Sequence, residues 1–308
     1  MWRSNALLLV VTAIWGMGFV AQRVGMEHVG VFTYNTLRFG MGVLALFLFL
    51  PLVRRFEPLR VQSSARTVLK ASLLAGVLLF IASTLQTEGL VYTTAGKAGF
   101  ITGLYVVLVP VLGLLWRQRT HPATWMGAVL AVAGLYLLSV NEALQISRGD
   151  WLVLASAFFW AAHIQALGFL TRRADPVHIA IGQFVVVTLL SLPGMLGMEH
   201  PALADISAAS GAILYGGLMV VGVSFTLQVI AQREAHPAHA AVIMVSEAVF
   251  AVLAGWLLLG ERLSMRGIAG CVLMTAGMVL SALAPYLHAR METPTLQNQP
   301  VIEAGKER

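Results

Sequence analysis

Glu247 has the clearest chemical potential in this chain. Its carboxyl sits near the middle of an unbroken apolar run, too deep for the side chain to reach water easily. On insertion scales such a group costs about 2.5–3.5 kcal/mol, so it faces a water-filled cavity or a partner of its own kind. Arg38, Glu88 and Lys97 share this predicament, with Arg23 and Glu27 at the edge of another run. A buried carboxyl can take up and release a proton as its surroundings alternate between wet and dry, which makes Glu247 a candidate proton carrier. Arg38 and Lys97 set against Glu247 would put both signs of charge in one place, an arrangement suited to a zwitterion such as an amino acid. No HExxH, GxSxG, P-loop or paired-cysteine pattern occurs, and the one cysteine, Cys271, lies in an apolar run. The residues therefore point away from an enzyme, a metal site, a bound cofactor or a nucleotide-driven pump.

The elements that must position these groups are apolar stretches of about 20 residues, the length that crosses a bilayer core as a helix. With 58% hydrophobic and 11% charged residues among 308 and a mean hydropathy of +0.81, little chain remains for a soluble domain. Ten spans are expected: Asn5 to Val24, Thr33 to Leu52, Ala71 to Tyr92, Gly96 to Trp116, Ala123 to Val140, Asp150 to Leu170, Val177 to Leu196, Ser210 to Ala231, Ala238 to Leu259 and Arg266 to Tyr286. Continuous apolarity without period-two alternation selects helices over a barrel. Trp15-Gly16-Met17-Gly18-Phe19 offers no cleavage site, so the first span reads as a membrane helix rather than a signal peptide. The polar residues 288–308 read as a disordered cytoplasmic tail.

The net charge of +6 reports topology rather than nucleic acid. With a cytoplasmic amino terminus, 14 of the 20 Lys and Arg residues fall inside, and only Arg148, Arg262 and Arg266 fall outside. The positive-inside rule then places both termini in the cytoplasm of a cell (bacterial inner) membrane.

The first five spans match the second five at an offset of roughly 142–145 positions. Trp15 falls on Trp160, Arg38-Phe39 on Gln183-Phe184, Thr84-Leu85-Gln86 on Thr226-Leu227-Gln228, Lys97 on His239 and Tyr105 on Glu247; after a one-residue slip, Gly127 falls on Gly270. The expected domains are residues 1–142 and 150–287. Five crossings is an odd number, so the second half enters from the opposite side and the repeats are inverted. Inverted repeats are a recurrent architecture of secondary transporters, with substrate sites near the midplane.

Four matched pairs keep hydrogen-bonding capacity in both members: Arg38 with Gln183, Gln86 with Gln228, Lys97 with His239 and Tyr105 with Glu247. They predict one shared cavity lined by the second, third, fourth, seventh, eighth and ninth spans, with Trp15 and Trp160 as stacking candidates. Gln86 and Glu88 point about 200° apart, so only one of them faces it squarely. Simpler roles compete. Glu88 and Lys97 suit an ion pair at the outer ends of neighbouring spans, and Arg23 and Glu27 suit headgroup contacts. His163 and His178 read as packing histidines, and the two tryptophans could equally pack beside small residues. Pro110 should kink the fourth span, and the glycines of the second, fifth and tenth should allow close crossings.

Trp15-Gly16, LRFGMGVLAL from Leu37, TTAGKAGFITGLYVVLVPVLG from Thr93 and SEAVFAVLAGWLLLGERLSMRGIAGCVLMTAGMVL from Ser246 resemble the EamA-type permeases of the drug/metabolite transporter superfamily. The resemblance spans both halves, although RQRT stands in the first where GERL stands in the second. It implies ten helices, cytoplasmic termini, a central cavity, and export of small metabolites such as amino acids or of toxic organic compounds. The expected function is thus a secondary exporter of a small polar or amphipathic metabolite working by alternating access in membrane lipid. The alternatives are an uncoupled uptake facilitator or exchanger, and a non-transporting membrane sensor.

Overall fold

The computed structural model describes residues 2–57, 63–93, 95–139, 147–259 and 264–292, and all regular structure among them is helical. Fifteen α-helical segments follow in order: α1 (Trp2–Met26), α2 (Val31–Leu48), α3 (Leu50–Phe56), α4 (Ala65–Tyr92), α5 (Ala95–Gly103), α6 (Tyr105–Leu115), α7 (Pro122–Ser139), α8 (Arg148–Leu170), α9 (Pro176–Gly194), α10 (Leu203–Ala208), α11 (Ser210–Leu214), α12 (Thr226–Gln232), α13 (Pro237–Met244), α14 (Glu247–Leu259) and α15 (Met265–Glu292). Two π-helical stretches, Met195–Glu199 and Tyr215–Phe225, extend α9 and join α11 to α12.

Among the described residues, six helices are long and apolar enough to cross a membrane: Trp2–Met26, Val31–Leu48, Ala65–Tyr92, Arg148–Leu170, Pro176–Glu199 and Ser210–Gln232. Shorter apolar helices occupy Ile101–Leu115, Pro122–Gly134, Pro237–Ala251 and Met265–Ser281. The last helix continues through Glu292, five residues into the expected tail, and residues 293–308 lie outside the described residues.

Local chemistry fixes where helices begin. Ser64 accepts from the Thr67 N–H to start α4, and Ser147 with Asp150 forms a reciprocal capping box on α8. Asp175 caps α9 through the His178 N–H, and Pro176 sits at the first turn, where its missing N–H does no harm.

The fourth and ninth expected spans are each broken. α5 gives way to α6 at Leu104, and α13 gives way to α14 at Val245-Ser246. At both breaks the backbone tightens to three-residue hydrogen bonds, Leu104 N–H to Ile101 and Ser246 N–H to Ile243. Pro110 is not the cause, because the first break lies a turn and a half before it and the second has no nearby proline. At the second, the Ser246 hydroxyl donates to the Ile243 carbonyl across 2.7 Å, competing with the helical ladder. The residues that open the resumed helices are Tyr105 and Glu247.

Helix packing brings distant parts of the chain together. α1 packs on α14, α12 and the long π stretch; α8 packs on α4, α5 and α6. α2 packs on α9 and the π stretch, α4 on α9, and α7 on α15. The α7–α15 crossing needs glycine. A Cβ on Gly127 would lie 2.6 Å from the Gly277 carbonyl oxygen, and one on Gly134 would lie 2.5 Å from that of Gly270. Phe39, Phe184, Phe225 and Trp160 form an aromatic centre, with Phe225 stacked on Trp160 at 5.8 Å and 9°.

Candidate functional site

A cavity of about 50 Å³ lies at this centre, lined by residues of α1, α2, α4, α5, α6, α8, α12, α14 and the π stretch. It has room for a few waters but not for a metabolite, since ligand pockets run to several hundred Å³. The observed conformer is therefore closed around its site.

Of the residues singled out from sequence, Trp15, Arg38, Gln86, Tyr105, Trp160, Gln228 and Glu247 line the cavity. Tyr105 donates its hydroxyl to Glu247 Oε1 at 3.2 Å, with both residues almost wholly buried. Trp160 Nε1 donates to Gln86 Oε1 at 2.7 Å, and the Trp15 and Trp160 rings lie 6.2 Å apart. Arg38, only 5% exposed, does not snorkel. Its Nε donates to Asn35 Oδ1 at 3.0 Å, and its guanidinium rests 5.0 Å from the ring centres of Tyr34 and Phe39. Glu88 is half-buried and absent from the lining, so Gln86 is the member of that pair that faces inward.

Two expected lining residues are placed elsewhere. Gln183 turns to His163, its Oε1 2.9 Å from Nε2, and among the described residues the seventh span adds none to the cavity lining. His239 is engaged by Asn5 at 2.9 Å and Ser281 at 3.1 Å, and it ties α13 to α1 and α15. Lys97 belongs to α5, but its side chain lies outside the described residues, as does the GERL end of the second-half motif. Sequence reasoning left out Phe19, Thr102, Ile164, Val220 and Phe225, and with them the first and sixth spans as walls of the cavity. The matched tryptophans were the available clue to those two spans.

Three clasps tie the helices together around the centre. Arg54 of α3 makes paired hydrogen bonds of 2.8 and 2.9 Å with the Asp175 carboxylate at the start of α9. Burial pushes the Asp175 carboxyl up, but the Arg54 hydrogen bonds, the His178 N–H and the charges of both residues together hold it below its ordinary value. Glu199, after α9, accepts the N–H groups of Phe32 and Thr33 at 2.8 and 2.7 Å, satisfying the open amino end of α2. Glu57 joins Arg3 at 3.1 Å and Arg233 at 3.3 Å, drawing α1 and the segment after α12 together.

An apolar helical assembly with a small polar centre defines a multi-pass membrane protein, and the comparisons narrow the class. The EamA-like transporter family matches residues 2–140 and again 147–283. The chain belongs to that family of membrane transporters. An uncharacterized transporter of Archaeoglobus fulgidus is 29% identical, over 90% of this chain and 84% of its own. The uncharacterized transporter YoaV of Bacillus subtilis is 23% identical, over 89% and 94%. A solved crystal structure shares the fold at TM-score 0.73 and 20% identity, covering 94% of this chain and 100% of its own.

Proposed function

We propose that the protein exports a small polar or amphipathic metabolite across the cell membrane by alternating access of two inverted five-helix halves, with both termini cytoplasmic. The observation that carries this reading is the contact between Tyr105 and Glu247. They occupy matching positions of the two halves, each opens the second piece of a broken helix, and they meet at the cavity. Broken helices at the midplane are how transporters bring backbone and polar groups to a substrate in an apolar setting.

The ten-crossing layout is supported by the packing. Each half offers three long helices and two shorter apolar ones, with a broken span fourth in each. Exchanging each helix for its counterpart turns α1 on α14 into α8 on α6, turns α1 on α13 into α8 on α5, and turns α4 on α9 into the π stretch on α2. The same exchange turns the Gly127–Gly277 contact into Gly270–Gly134. Such equivalence is what two inverted halves require, because a closed interface in one orientation must be rebuildable in the other.

Arg38 and Glu247 bring a cation and a titratable carboxyl to the cavity, which favours a zwitterion such as an amino acid, and Glu247 is the group able to carry a proton. Alternation is tested by cysteine labelling in a Cys271→Ser background, with Thr102→Cys and Val220→Cys placed in the cavity wall. Both positions should react with membrane-impermeant reagents applied from either face. Reaction from one face only, in folded protein, would exclude alternation.

A further inference from the structure

The bond from Trp160 to Gln86 has a counterpart under the offset that relates the halves. Trp15 matches Trp160 and Gln228 matches Gln86, so the counterpart is a bond from Trp15 Nε1 to Gln228 Oε1. It is not formed. Among the described residues those two atoms, though buried, have no hydrogen-bond partner, and both residues line the cavity. Gln228 is wholly buried, and its amide nitrogen reaches only the weak acceptor Met244 Sδ at 3.6 Å. Native structures rarely leave buried donors and acceptors unpaired without a use for them. Here the unpaired donor and acceptor are the pair that symmetry would join.

We propose that the two Trp–Gln pairs are exchanging hydrogen bonds: Trp160 holds Gln86 in the observed conformer, Trp15 holds Gln228 in the alternate one, and the free pair lines the cavity. The inference rests on the alternating-access reading above. Once the cavity opens wide enough to admit cargo, a cargo group with a donor and an acceptor can engage Gln228 Oε1 and Trp15 Nε1, the two atoms that its release then lets pair. The conversion breaks one tryptophan–glutamine bond as it makes another, so neither state is strongly favoured, as a reversible cycle needs.

The exchange makes a prediction of opposite sign for similar substitutions. Gln86→Leu removes a bond present only in the observed conformer and should deplete it. Gln228→Leu removes a bond present only in the other and should enrich the observed one. One hydrogen bond corresponds to a shift of about two- to tenfold in the population ratio. Trp160→Phe and Trp15→Phe keep an aromatic ring, delete the N–H, and should repeat the two signs if the leucine variants fail to fold.

The readout is pulsed electron paramagnetic resonance in lipid nanodiscs. Spin labels replace the exposed Arg55 and Arg172, which flank the Arg54–Asp175 clasp, with Cys271→Ser as background. The observed conformer gives the short distance. Two distances in wild type, with opposite shifts in the paired variants, are the expected result. Two distances with shifts of the same sign, or none, would overturn the exchange while leaving alternation standing. A single distance in wild type and all variants would overturn both.

Discussion

Tyr105 and Glu247, 142 positions apart in sequence, share a hydrogen bond of 3.2 Å at the wall of the central cavity. Removing one partner of a buried hydrogen bond costs about 1–3 kcal/mol. Tyr105→Phe should therefore lower thermal stability in detergent by an amount in that range, because Glu247 Oε1 loses its donor. Glu247→Gln keeps an acceptor for Tyr105 and should change stability by less than about 1 kcal/mol. Thermal unfolding of the two purified variants checks the order; equal losses would mean that the contact contributes nothing specific.

The Arg54–Asp175 clasp carries a pH dependence. Asp175 is held below its ordinary value of 3.8 in the folded protein, so the clasp stabilises fully above that value and weakens as pH falls through the lower folded one. Asp175→Asn should cost about 1–3 kcal/mol near neutral pH and flatten the acid limb of the stability profile. Unfolding midpoints from pH 7 down to pH 3 test this, and an unchanged acid limb in the variant would assign the pH response to another group.

The glycine crossing of α7 and α15 should tolerate no added carbon. A Cβ on Gly277 would lie 2.5 Å from the Gly127 carbonyl oxygen, so Gly277→Ala must push the helices apart. Overpacking of this kind costs about 1–3 kcal/mol. Gly211→Ala, where nothing lies within 4 Å of the new carbon, is the control and should be neutral. Thermal unfolding distinguishes the two, and equal midpoints would remove the close crossing from the account.

Gln183 and Gln228 should part company in function. Gln183→Leu leaves His163 Nε2 without its partner and should reduce stability, with transport per folded molecule within about twofold of wild type. Gln228→Leu alters the cavity wall and should change the transport rate by about two- to tenfold while unfolding near the wild-type midpoint. Initial rates normalised to folded protein decide the matter.

Much of this was legible in the residues. Runs of apolar residues fix helices because lipid offers the backbone no other partner, and the match between the halves already sets Tyr105 opposite Glu247. It also gave the glycines that cross at α7 and α15. What that match could not give is direction around a helix axis. Gln183 matches the inward Arg38, yet it turns to His163, a residue whose own partner sequence does not name. His239 matches Lys97, yet Asn5 and Ser281, both distant in sequence, claim it. The break before Glu247 was hidden because no proline or glycine marks it. The long π stretch Tyr215–Phe225 has no counterpart in α4, a difference between the halves that residue matching does not carry.

The central claim is that this cavity moves a small metabolite and that Glu247 is part of the path. Counterflow in proteoliposomes tests it most directly, with pooled labelled amino acids and related metabolites presented to wild type and Glu247→Gln side by side. Accumulation by wild type that falls at least about tenfold in Glu247→Gln, from protein unfolding at the same temperature, is the expected result. Equal accumulation by both, with the same dependence on pH, would contradict the role assigned to Glu247 and with it the site proposed here.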